Sequence, residues 1–174
     1  MLFIPQKELD IAEELAKKKP NLTGQYYITD KPTGQLISIA WNSKKWECPK
    51  NELSEYIPSL SHIRNELTLL KKPIAIPFIL LMYINKDAYW VDDIIPTNKP
   101  YTMLDRLGLL RNLNLTEQNK LFKLPTGVIN SYDKQVWDKL TNESKTTGIV
   151  AKRLTSYYAN NKCNSDLIKQ EKQE

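Results

Sequence analysis

Histidine is almost absent from this 174-residue chain, and that scarcity removes several chemistries. With His62 alone, neither an HExxH zinc site nor a site of two histidines and one carboxylate for iron can be built. His62 stands in "SLSHIRNEL", beside Ile63 on an expected helix, and reads as a surface or capping residue. Glycine is scarce as well. The five glycines are isolated, so there is no GxxxxGKS/T loop, no GxGxxG turn and no GxSxG elbow. Two distant cysteines, Cys48 and Cys163, give neither a disulfide framework nor a cysteine-rich zinc site. No metal and no cofactor is expected. The longest apolar run, "PIAIPFILLMYI" (73–84), is too short for a bilayer and holds two prolines. The opening "MLFIPQKELD" lacks a basic start followed by an apolar core, so it does not read as a secretory signal, and a cytoplasmic location is expected.

What is present suits a packed domain. Hydrophobic residues are 41% and charged residues 26% of the chain. The net charge of +5 is mild and spread out, in "KKK" (17–19), "KK" (44–45 and 71–72) and "KR" (152–153). It suits an acidic partner without choosing one. Residues 5–19 read as a helix, opened by Pro5 and closed by three lysines. "GQYYITDKPTGQLISIAWN" reads as an antiparallel hairpin around Asp30–Gly34, where proline presets one dihedral and glycine allows positive φ. Residues 59–71 have helical spacing. A second hairpin is expected from 74–84 and 88–95. Further helices are expected around 101–110, 132–140 and 150–157, with a short strand near Val128 and Ile129. The last residues, "CNSDLIKQEKQE", read as a polar tail. The expectation is one α+β domain over 1–162, with a mostly antiparallel central sheet flanked by helices, and a tail over 163–174.

"DAYWVDDIIPTN" (87–98) raises the chemical question. Alternation puts Trp90, Asp92 and Ile94 on one side of a strand and Val91, Asp93 and Ile95 on the other. It does not say which side is buried. A buried carboxylate needs a partner or a role. Asp92 is either a catalytic group or a structural acceptor for backbone N–H groups or for Arg64, Arg106 or Arg111.

Two segments together, "GQYYITDKPTGQLISIAW" and "YWVDDIIP", resemble the RTX-toxin-activating lysine acyltransferases over roughly residues 22–112. The resemblance implies a GNAT-like fold and transfer of a fatty acyl group from acyl carrier protein to a lysine of a protein toxin, without coenzyme A. It puts Asp92 in the place of the family's catalytic aspartate and Asp93 in the place of a neighbouring aromatic, with Trp41 and Trp90 as further substrate-binding candidates. It also exposes a gap. A lysine has an unperturbed pKa of about 10.4 and must lose a proton before it attacks. The family uses a histidine upstream of the first hairpin. Here that position falls near Pro5, in "FIPQKE". Asp92 alone, His62 brought from elsewhere, or a fold kept without the reaction would each account for this.

Three functions are therefore expected in order. The first is an acyltransferase-like protein, active or degenerate, with acyl carrier protein and a protein substrate as partners. The second is a small accessory or inhibitor protein of the phage- or plasmid-borne type, acting by protein binding. The third is a nucleic-acid-binding module using Lys152, Arg153 and Tyr157 in "KRLTSYY".

Overall fold

The computed structural model describes residues 5–47, 75–85, 88–114 and 121–173. The helix expected over 59–71, with His62 and Arg64, lies outside the described residues, as does Cys48. Among the described residues, ten strands and three helices follow in chain order: β1 (Lys7–Asp10), α1 (Ile11–Leu15), β2 (Gln25–Asp30), β3 (Gln35–Trp41), β4 (Trp46–Glu47), β5 (Phe78–Ile84), β6 (Tyr89–Pro96), α2 (Met103–Leu113), β7 (Phe122–Lys123), β8 (Val128–Ser131), α3 (Lys134–Glu143), β9 (Gly148–Arg153) and β10 (Cys163–Glu171).

The strands form two five-stranded mixed sheets, ordered β1-β10-β9-β2-β8 and β4-β3-β5-β6-β7. This corrects the expected single GNAT-like sheet flanked by helices. The chain divides into two compact units, one of Met1–Lys31, Thr102–Leu104 and Thr126–Glu174, the other of Pro32–Tyr101 and Asp105–Pro125.

In the first unit, β2 runs antiparallel to both β8 and β9. It does not pair with β3, so the expected first hairpin does not form. The cause is local. Lys31 N–H still donates to Gly148 O at 2.9 Å, continuing the ladder with β9. Pro32, which has no N–H, ends it. The core lies on one face of this sheet: Leu9, Ile28, Ile149, Ala151 and Ile168 pack with Tyr26 and the α3 residue Trp137. Tyr26 and Trp137 meet edge to face with centroids 5.3 Å apart. Asp133 caps α3, accepting from Gln135 N–H (2.9 Å) and Val136 N–H (3.2 Å).

Three expectations in this unit are overturned. The helix over 5–19 is replaced by β1 and a five-residue α1. Leu9 and Ile11 both enter the core at a spacing of two, which is strand periodicity. The helix expected at 150–157 is β9, whose β-branched Ile149 and Val150 sit between strands on both sides. The expected polar tail is β10, which pairs β1 on one side and β9 on the other.

Burial of Tyr26 pushes its phenol up to about 12. The folded state keeps this proton more tightly than the unfolded chain, so Tyr26 supports stability fully below about pH 10 and loses that support as pH rises toward 12. Chemical denaturation followed between these limits should show a decline that is smaller in Tyr26→Phe, which has no phenol to ionise at this position.

In the second unit the expected 74–84/88–95 hairpin is present as β5 and β6, antiparallel. Its core is Ile37, Ile39, Trp41, Trp46, Phe78, Leu80, Met82, Val91, Ile94 and Phe122 with α2 residues Leu110 and Leu113. Gly34, at φ +112°, brings the chain against β5; a Cβ there would stand 2.3 Å from Ile84 O.

Candidate functional site

The register of the first sheet sorts its side chains by face. Tyr26, Ile28, Ile149, Ala151, Arg153 and Ile168 belong to the face covered by Trp137. The opposite face carries three cross-strand rows. Tyr27 stands opposite Lys152, which stands opposite Leu167. Thr29 stands opposite Val150, then Lys169 and Asp10. Lys31 follows β2 in line with Gly148 and Glu171. Three lysines, 31, 152 and 169, thus share one face. Gly148 puts no side chain between Lys31 and Glu171, which lets those two meet.

Two of these lysines, Lys31 and Lys169, converge on an anion. Lys31 Nζ donates to Glu171 Oε1 at 2.8 Å, and Lys169 Nζ stands 3.1 Å from the same oxygen. Glu8 Oε2 lies 3.9 Å from Lys31 Nζ. The hydrogen bond from Lys31, then that from Lys169, holds the Glu171 carboxyl below the usual range. The Glu171 bond raises Lys169. Glu171 is therefore ionised at neutral pH; its contribution to stability is present above the ordinary carboxylate range and lost as pH falls through the lowered value. Lys152 is buried at 9% exposure on the same face. One carboxylate oxygen held by two ammonium groups is the arrangement that also holds a phosphate oxygen. Among the described residues, no group of three or more His, Cys, Asp or Glu stands together as metal ligands would.

The residues expected to act fall elsewhere. Lys152 and Arg153, neighbours on a strand, occupy opposite faces. Arg153 is tied into the fold: Nε donates to Asp166 Oδ1 at 2.9 Å, Nη2 to Asn21 O at 2.8 Å and Ser165 O at 3.2 Å, and Nη1 to Thr23 O. Its guanidinium also lies 4.8 Å from the Tyr26 ring centroid. Tyr157 is exposed beyond β9. The trio Lys152, Arg153 and Tyr157 is therefore not one surface.

Asp92 and Asp93 are resolved by a bulge. The β5–β6 register shifts between Leu81 and Met82, which pair with Asp93 and Val91 and leave Asp92 as the extra residue. Alternation breaks there, so Val91 and Ile94 both reach the core instead of facing opposite sides. Asp93 is the buried acid, at 0% exposure. It accepts from Arg106 Nε (2.9 Å), Arg106 Nη2 (3.3 Å) and Ile94 N–H (2.8 Å). Arg106 Nη1 donates to Tyr101 O at 2.8 Å. Asp93 and Arg106 thus form a buried ion pair. Trp41 is core, 5.3 Å from Trp46 between ring centroids. Trp90 is half-buried, with Lys123 Nζ 5.7 Å from its ring centroid. Asp92 is half-buried at the bulge.

Sequence reasoning missed Lys31, Lys169 and Glu171. In sequence Lys31 reads as part of a turn and the other two as part of a polar tail. The available signal was the alternation of Leu167, Lys169 and Glu171 against Asp166, Ile168 and Gln170.

No family model and no curated protein matches this sequence. Solved structures do match its fold. Pmar-Lig_Pre aligns with 98% of this chain at a TM-score of 0.72 and 14% identity. A Lig E DNA ligase, described as binding DNA with a minimal scaffold, aligns with 99% at 0.64 and 15%. The ATP-dependent DNA ligase from bacteriophage T7, in complex with ATP, aligns with 96% at 0.61 and 15%. The chain spans 46% of the first, 70% of the second and 68% of the third. These matches overturn the acyltransferase reading with its acyl carrier protein and toxin-lysine partners, and the catalytic role expected of Asp92 loses its basis. The hairpin that carried that resemblance is two strands of two different sheets. No helix among the described residues is long and apolar enough to cross a membrane. The fold of this chain is the one it shares with DNA ligases.

Proposed function

We propose that this chain is the nucleotide-binding core of a DNA-ligase-type protein. It takes the phosphates of a nucleoside triphosphate on the lysine face of its first sheet, and it binds nucleic acid. The observation that carries this reading is the convergence of Lys31 and Lys169 on one oxyanion oxygen at 2.8 and 3.1 Å. Lys152 adds a third ammonium group to the same face. The names of the matching proteins supply the ligand class: ATP for the T7 enzyme and DNA for the Lig E enzyme. The expected third function, nucleic-acid binding, is kept, but through other residues than Arg153 and Tyr157.

Two titrations test it. Calorimetry with ATP should show saturable binding to one site. Fluorescence anisotropy with labelled DNA should give a log affinity that falls linearly with log salt, by roughly 0.7 to 0.9 per phosphate neutralised. A protein that binds neither ligand, or a DNA affinity indifferent to salt, contradicts the reading.

A further inference from the structure

The second unit carries a row of side chains that its core does not use. Register sets Leu36 opposite Tyr83, Tyr83 opposite Trp90, and Trp90 opposite Lys123, across β3, β5, β6 and β7. Directly opposed residues share a face. The core cluster takes the other face, through Ile37, Met82, Val91 and Phe122, while on the row's own face the next pair, Leu81 and Asp93, is fully buried. Leu36, Tyr83 and Trp90 are half-buried and Lys123 is exposed. The chain has four tryptophans. Trp41, Trp46 and Trp137 are buried at 5%, 4% and 0% exposure, so Trp90 alone of the four is within reach of a ligand. Lys123 Nζ already stands 5.7 Å from its ring centroid.

We propose that this row is a stacking site for single-stranded nucleic acid. A base lies on Trp90 beside Tyr83, and the Lys123 ammonium moves from the ring to the adjacent phosphate. An aromatic face bordered by a cation meets both halves of a nucleotide, its π-surface and its charge. A duplex cannot use it, because paired bases present edges and not faces. The net charge of +5 favours a polyanion over an acidic or neutral apolar partner. The inference rests on the reading that this protein binds nucleic acid, and it is independent of the lysine face of the first sheet.

The test is a titration with oligo(dT) followed by tryptophan fluorescence and by anisotropy of the labelled strand. Wild-type emission should be quenched on binding, because the three buried tryptophans cannot stack. Trp90→Ala should weaken binding roughly 5- to 150-fold, the range for loss of one base–aromatic stack. Trp90→Phe should keep most of the affinity and lose the quenching, which separates stacking from misfolding. Lys123→Ala should lower the salt slope by about one. Trp90→Ala binding within about twofold of wild type, or equal dependence of duplex DNA on Trp90, overturns the stacking site. Absence of both single-strand and duplex binding by the wild-type protein overturns it together with the nucleic-acid reading; nucleic-acid binding that does not depend on Trp90 overturns the stacking site alone.

Discussion

Asp93→Ala should cost about 3–5 kcal/mol of stability, enough to threaten folding of the second unit. The Asp93 carboxylate is fully buried and receives two guanidinium nitrogens of Arg106 and one backbone N–H. Removing it leaves the Arg106 guanidinium, at 3% side-chain exposure, without its buried carboxylate partner, while Nη1 still donates to Tyr101 O. The pair itself need not be strongly stabilising, because both ions were taken out of water to form it. Replacing both partners, as Asp93→Leu with Arg106→Met, should therefore recover most of the loss. Urea denaturation gives the values, with the midpoint shifting at constant slope. A single-variant cost below about 1 kcal/mol would mean that the ion pair is not closed to water.

The second large effect falls on ligand affinity. Lys31→Ala should weaken ATP binding by about 10- to 150-fold, the worth of a charge-assisted hydrogen bond to a phosphate oxygen. Stability should change little, since the Lys31–Glu171 pair is partly exposed, at 23% and 41% of its side chains. Lys31→Arg should keep part of the affinity, because charge persists while the point geometry of the ammonium does not. Calorimetric titration of all three proteins at one salt concentration provides the comparison.

How much of this was legible in the residues depends on which signal carried each element. The β5–β6 hairpin, α2, α3 and β8 were readable because local periodicity and turn residues agree with the tertiary pairing. The first hairpin was not. Its turn chemistry around Asp30–Gly34 is real, yet β2 finds its partners in β8 and β9, far along the chain. No local pattern encodes a pairing of that range. The bulge at Asp92 is similarly silent, because two adjacent acids look the same whether or not the strand slips between them. The lysine face was concealed differently. Lys31, Lys152 and Lys169 come from three separate segments, each ordinary as a surface lysine, and only the ladder β2-β9-β10 makes them neighbours.

Glu171 offers the most direct test of whether that face is a phosphate site. Its carboxylate occupies the oxyanion position between two ammonium groups, so it competes with any phosphate that enters. ATP affinity should be measured by calorimetry for wild type and Glu171→Gln at neutral pH. The account predicts tighter binding by the variant, opposite in sign to the effect of Lys31→Ala. Unchanged or weaker binding by Glu171→Gln would show that these lysines serve the ion pair and not a ligand.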